Sequence, residues 1–450
     1  MDTFIRVSQF LLSLSILIAL HEWGHYITAK KTGMRVNKFY LFFDFLFPFA
    51  NVANFALFKK KVGDTEYGLG WFPFGGYVQI AGMVDETTSE EDLSKEPEPY
   101  EFRAKPAWAR LLVMAGGVTV NLILGVLIFW MVLFIYGREH VPLTSLSNGV
   151  IVSDTALTKL GFADGDKIIG MVGADNIRSL EDINRELLLD NGGSVVIERN
   201  GVKQTIVIPH GATEALLHND KKSYFIPAFP ADVYLIEKGS VAEKMGIRKF
   251  DRILSINDEK IIAFPQIAMI VPKYADKDVT VNVRHIDGKI ETLKGKLNEE
   301  GRLGVGPGQY DYYFKFEKEE FGFFEAFPAA IVTGKNIITN YVRQFKILFT
   351  KEGAKQIGGF AAMAKGFGSE WNWQHFWSFT AVLSFILAFM NILPIPMLDG
   401  GYILFLLIEV VIRRKIPEKV IGYANMVGLV LILGLLLFAN GNDIYKAFIK

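Results

Sequence analysis

Four runs of this chain are long and apolar enough to cross a bilayer: roughly Val7 to Ala29, Leu111 to Ile135, Trp377 to Pro394 and Tyr423 to Ala439. A spanning helix needs about 20 mostly apolar residues, so each run predicts one transmembrane helix. The first run ends in polar residues and no small-residue cleavage site follows it, so it reads as a retained helix rather than a signal peptide. Between the second and third runs the period drops from helical to alternating. Short strands are expected at Val150 to Val152, Ser194 to Ile197, Val233 to Ile236 and Val279 to Val283, with a helical segment such as Ser179 to Leu189 after each core.

That outer stretch repeats. GFADGDKIIGMVG from Gly161 aligns with GIRKFDRILSIND from Gly246 at an offset of 85, pairing Asp166 with Asp251, Lys167 with Arg252 and Ile168 with Ile253. Two further stretches are less regular. Tyr40 to Phe58, YLFFDFLFPFANVANFALF, has lysines on both flanks and is expected to lie at the interface rather than span it. Glu66 to Met83, EYGLGWFPFGGYVQIAGM, reads as alternating strands punctuated by glycine, and Asp85 to Phe102 as an acidic, solvated linker. Phe321 to Thr350 is expected to form an amphipathic surface segment.

Charge orients the chain. Lys30, Lys31, Arg35 and Lys38 follow the first helix, with Lys59 to Lys61 beyond them; Arg413, Arg414, Lys415 and Lys419 separate the third and fourth. By the positive-inside rule both connections are cytoplasmic, and the insert and both termini lie outside. Half the residues are hydrophobic and the formal net charge is zero, so no basic field recommends a nucleic-acid partner. With no cysteine, disulfides and thiolate metal sites are excluded.

The chemistry is concentrated in ALHEWGHYITAKK, Ala19 to Lys31. His21 and His25 are four apart and share one helix face, a spacing that lets both imidazoles reach one zinc ion. Glu22 is beside them and placed to take a proton from water. Ionisable side chains near a membrane centre cost at least about 2.5–3.5 kcal/mol each, and metal ligation would compensate them. A catalytic zinc usually takes three protein ligands. The remaining histidines, His140, His210, His218, His285 and His375, fall in the insert or at its end and are expected at the surface. Asp399, in FMNILPIPMLDGGYI, is the acid of the third run, where Pro394 and Pro396 break the helix. Irregular backbone at membrane depth is tolerated only when buried in protein or facing water, so this break reads as an internal site.

HExxH in the first helix, N-x-x-P-x-P-x-L-D-G in the third and the repeated insert together resemble the site-2 protease family, in its regulator of sigma-E protease branch. The second-helix AGGVTVN, Ala115 to Asn121, is similar to a family pattern that usually has proline where this chain has Gly117, a departure expected to affect helix shape rather than chemistry. The repeat A-x-x-x-G-x-x-x-x-D-[KR]-I resembles PDZ domains, although Phe250 replaces the glycine seen at Gly165 and no intact carboxylate-binding loop is evident. A spacer role is the plainer alternative.

The resemblance implies a polytopic α-helical membrane protein of four transmembrane helices, with a membrane-associated β-hairpin and two PDZ-like β-rich domains between helices 2 and 3. The expected divisions are 1–31, the first helix; 32–106, a cytoplasmic or interfacial loop with the hairpin; 107–137, the second helix; 138–224 and 225–308, the PDZ-like domains; and 309–374, an amphipathic connector. There follow 375–402, the third helix; 403–420, a cytoplasmic loop; and 421–450, the fourth helix and tail.

It further implies His21, His25 and Asp399 as Zn2+ ligands, Glu22 as general base, Asn391 as a substrate-positioning residue, and Gly75, Gly76, Tyr77 and Val78 as a strand that pairs with unwound substrate. The expected activity is endoproteolysis of single-pass membrane proteins already trimmed outside, such as anti-sigma factors and remnant signal peptides, with the PDZ pair as a size filter. The protein would be a monomer in the bacterial inner membrane, with its termini and PDZ domains periplasmic and its active site toward the cytoplasm. The competing expectation is a catalytically silent scaffold that recruits peptides.

Overall fold

The computed structural model describes residues 2–46, 52–73, 75–83, 96–173, 177–188, 193–210, 212, 224–347 and 358–448. They form two compact units. Parts of the Tyr40–Phe58 stretch, most of the acidic tract and His218 lie outside the described residues.

The first unit opens with α1 (Asp2–Lys31), followed by β1 (Val36–Leu41), β2 (Ala56–Val62), β3 (Thr65–Gly70), β4 (Tyr77–Ile80) and α2 (Ala107–Tyr136). After the insert come α3 (Phe323–Ile347), α4 (Trp373–Ile392), α5 (Asp399–Ile412) and α6 (Glu418–Phe448). Of these, α1, α2, α4 and α6 are long and apolar enough to cross a membrane. Pro106, whose fixed φ suits a helix entry, precedes α2, and Gly137 ends it in a backbone conformation open to glycine, φ 71°. Small residues bring α1 and α2 into close contact: a Cβ on Gly24 would come within 2.5 Å of the Gly116 carbonyl oxygen.

The expected hairpin is instead part of a four-stranded sheet, in the order β2–β3–β1–β4. β2 and β3 make the hairpin, β3 runs parallel to β1, and β4 pairs antiparallel with β1. Its missing strands lie at the ends of the aromatic stretch read as interfacial. There VNKFYL and ALFKKKV lack the alternation of apolar and polar residues that marks a strand. The expected loop 403–420 is also corrected. Helix resumes at Asp399 and runs to Ile412, so the prolines interrupt the third run only between Ile392 and Asp399. Arg110, in the first turn of α2, forms a buried ion pair with Glu409 of α5, and Glu409 also accepts from the Ile416 N–H. Such a pair retains its value only while both partners are present.

Apolar clusters flank the site on either side. Phe10, Leu17, Phe367, Phe376 and Leu383 pack together on one side, and Ala29, Val36, Ile80, Val113, Tyr402 and Leu406 on the other. α3 buries Ala326 and Ala330 against Phe129, Leu133 and Phe385 while leaving Phe324 exposed, as an amphipathic helix does.

The second unit contains both repeats. The first runs β5 (Val150–Val152), β6 (Lys167–Met171), β7 (Gly193–Arg199), β8 (Val202–Ile208) and β9 (Phe225–Pro227). The second runs β10 (Leu235–Ile236), β11 (Arg252–Ile256), β12 (Asp278–Arg284), β13 (Ile290–Lys296) and β14 (Val305–Gly306). β5 pairs with β9 and β10 with β14, while β6–β7–β8 and β11–β12–β13 form matching antiparallel sheets. Pairing β9 with β5 places residues 225–227 with the first repeat, so the expected boundary at 224 falls a strand too early. The repeated aspartate holds the turn before β6 and before β11: Asp166 accepts from the Ala163 N–H and Asp251 from the Arg248 N–H. Phe250 keeps the left-handed conformation of the glycine it replaces, φ 73° against 89° at Gly165.

His285, expected at the surface, is buried. Its Nδ1 meets Asp251 Oδ1 at 2.8 Å and its Nε2 meets Glu291 Oε2 at 3.0 Å. In the first repeat Arg199 serves the equivalent aspartate, so an always-charged partner is exchanged for a titratable one. The bonds to Asp251 and then Glu291 raise the His285 pKa above its ordinary value, against the opposing charge of Arg248. This stabilisation is full below the imidazole's ordinary pKa of about 6.5 and is lost as pH climbs through the raised folded value. Amide-exchange protection of the β12–β13 hairpin, corrected for intrinsic rate, is therefore expected to fall several-fold from pH 6 to pH 9. In His285→Gln it should be low and flat across that range.

Candidate metal centre

His21 and His25 project from one face of α1, and Asp399 from the first turn of α5. Their ligand atoms form a nearly equilateral triangle. His21 Nε2 and His25 Nε2 are 3.2 Å apart, and Asp399 Oδ2 lies 3.2 Å from the first and 3.3 Å from the second. Bonds of about 2.0–2.1 Å to a tetrahedral zinc give ligand–ligand edges of about 3.3–3.4 Å. The three atoms thus have the spacing of one face of such a site. Asp399 Oδ2 is buried without a hydrogen-bond partner, as an atom reserved for a cation would be.

The far side of each imidazole fixes its tautomer. His25 Nδ1 donates to the Val113 carbonyl at 2.9 Å, leaving Nε2 as the free lone pair. His21 Nδ1 lies 3.2 Å from the Asn121 side-chain amide, whose Oδ1 is otherwise buried and unsatisfied. Turning that amide end for end presents Oδ1 to the His21 N–H and again frees Nε2. Both partners belong to α2. The helix covers the pair with bare backbone at Gly117, where a Cβ would collide with His25 Nε2 and lie 2.5 Å from His21 Cε1.

The triangle opens on a cavity of about 450 Å³ lined by Glu22, Tyr77, Val78, Asn391 and Met426, among others. Glu22 is partly buried and lines the cavity together with Val78 of β4. Asn391 Nδ2 lies 3.3 Å from His21 Nε2. Gly76, Tyr77 and Val78 line this cavity, whereas Gly75 lies beneath the Phe43 ring. The residues singled out from sequence therefore converge, with Gly75 as a supporting position behind the strand. Four residues of the site were not assigned roles from sequence: Val113, Gly117, Asn121 and Asn425. Val113 acts through its carbonyl and carries no side-chain signal. Asn121 stands out in the sequence as the end of AGGVTVN and the one amide of α2, whereas Asn425 shares α6 with Asn440 and Asn442 and carries no local signal.

Gly117→Ala is expected to push the imidazoles apart. Chelator competition should show metal affinity about 10–100-fold weaker, the usual range when support of a ligand is disturbed.

The sequence model for peptidase family M50 matches residues 9–435. A Vibrio cholerae protein named as a candidate zinc metalloprotease is 27% identical over 462 residues, covering 96% of this chain and 97% of its own. The regulator of sigma-E protease RseP of Escherichia coli is 26% identical, covering 96% and 97%. The regulator of sigma E protease of Haemophilus influenzae is 25% identical, covering 98% of each chain. With nearly its whole length matched and its histidine pair facing a helix-borne aspartate, the chain belongs to peptidase family M50, the site-2 proteases.

Proposed function

We propose that the protein is an intramembrane zinc endopeptidase that hydrolyses peptide bonds in or near the membrane-spanning segments of single-pass proteins. The observation that carries this reading is the triangle of His21, His25 and Asp399 with Glu22 beside it in one cavity. Zinc held there supplies a Lewis acid for the peptide carbonyl and brings the pKa of water to about 7. Glu22 takes the proton from the attacking water and returns it to the departing amide nitrogen. Glu22 shares its cavity with Val78, on the strand along which substrate would lie. Asn391, beside His21, is placed to bond the substrate backbone.

A helical substrate has its amides paired internally and must unwind before it is cut. β4 ends the sheet order, so among the described residues it pairs with a strand on one side only. Its outer edge replaces the hydrogen bonds that unwinding breaks, as in strand-addition binding. Gly75 and Gly76 let the chain enter β4 tightly packed under Phe43 and beside Tyr40.

The relatives named as regulators of sigma-E protease favour substrates of the anti-sigma-factor type and remnant signal peptides. They also favour residence in a bacterial inner membrane. The basic residues after α1 and between α5 and α6 favour a cytoplasmic side for both connections, hence periplasmic termini and repeats. The two β-rich repeats are read as PDZ domains that exclude bulky ectodomains. Retention of a complete ligand triangle together with Glu22 counts against a silent scaffold.

In liposomes with a single-pass test substrate, Glu22→Gln should lose about 10²–10⁴-fold in cleavage rate, the usual share of general acid–base catalysis. It should still hold about one zinc per chain by elemental analysis, as a ligand set of two histidines and one aspartate requires. Asp399→Ala should lose both zinc and cleavage. Full activity in Glu22→Gln would remove that residue from the mechanism.

A further inference from the structure

The break between α4 and α5 poses a problem that the ligands themselves do not solve. Between Ile392 and Asp399 the chain has no helical ladder, two of its residues are prolines, and Met397 is held at φ 81°. A non-glycine residue rarely adopts that conformation unless its surroundings impose it. In an apolar setting, a free N–H there would also be costly.

Asn425, in the second turn of α6, meets both demands. Its Oδ1 accepts from the Met397 N–H at 3.1 Å, and its Nδ2 donates to the Tyr402 hydroxyl at 3.0 Å. The two contacts straddle Asp399 in sequence, two residues before it and three after. One turn further along α6, Gly428 lets the helix backbone rest on Pro396; a Cβ there would collide with the Pro396 carbonyl. α6 is otherwise largely exposed, and Asn425 lines the same cavity as the ligand triangle.

We propose that Asn425 is a positioning residue for the metal centre: by clamping Met397 and Tyr402 to α6, it sets where Asp399 presents its carboxylate to the ion. This rests on the reading of Asp399 as a zinc ligand. It gives the last helix a role in the site without any ligand of its own. Movement of α6 would thereby alter metal geometry.

The test compares the full-length protein with Asn425→Leu, Asn425→Asp and Tyr402→Phe, each loaded with zinc or with cobalt. Zinc release to a chelator should be about 10–100-fold faster in Asn425→Leu, in the range for lost ligand support. Its cobalt d–d bands should shift, and its thermal midpoint should fall as the Met397 N–H loses its acceptor. Asn425→Asp keeps an acceptor for Met397 and should restore wild-type release within a few-fold. Tyr402→Phe, which loses the second contact and keeps the first, should fall between. Wild-type release and an unchanged cobalt spectrum in Asn425→Leu would overturn the proposal. So would equal losses in Asn425→Leu and Asn425→Asp, since the second keeps the acceptor for Met397. Asp399→Ala separates the two readings: wild-type zinc affinity in that variant removes Asp399 from the ligand set, whereas lost zinc with a normal Asn425→Leu overturns the positioning role alone.

Discussion

Three metal-seeking atoms about 3.2 Å apart, in a segment that must otherwise live in lipid, are the constraint around which the first unit is built. Two imidazole lone pairs and a carboxylate oxygen repel one another and are costly to bury. They can be kept together only by a cation and by walls that prevent them from separating. α1 supplies two of them at helical spacing, and α5 brings the third from far along the chain. The remaining architecture holds α5 against α1.

That restraint is mostly backbone chemistry. α2 presses against α1 through Gly24 and Gly116 and lies over both imidazoles at Gly117. It also serves both rings from behind, through the Val113 carbonyl and the Asn121 amide. The same helix grips α5 through Arg110 and Glu409. A membrane protein gains little from hydrophobic attraction between helices, so close packing and shared hydrogen bonds carry the assembly. The sheet adds the other component, its outer strand β4 lining the same cavity as Glu22 through Tyr77 and Val78. The proposed ligands, base and template for extended chain thus line one cavity.

The second unit shows what an internal repeat can and cannot preserve. Both copies keep the buried aspartate that closes the turn, because its bonds go to backbone and any neighbour can supply those. The partner of that aspartate differs, Arg199 in one copy and His285 in the other, and the second is expected to make its copy respond to pH through the imidazole. Histidine burial was not legible in sequence, since nothing local marks His285 as lying between Asp251 and Glu291.

Much of the architecture could be read from the chain itself. Apolar runs of sufficient length determine spanning helices because lipid requires every backbone group to be paired within the segment. His21, Glu22 and His25 were legible because helical spacing alone puts the two rings on one face. Asp399 stood out as an acid in a proline-broken run. Tertiary structure decided what depends on distant neighbours. It gave partners to β1 and β2, whose sequences VNKFYL and ALFKKKV carry no alternation. It ended the break at Asp399 and carried helix on through Ile403, where a loop was expected. It also recruited Asn121 and Asn425, whose roles exist only once another helix is packed against them. Local sequence encodes periodicity and reach; which atoms finally share a hydrogen bond or a metal is settled by packing between segments hundreds of residues apart.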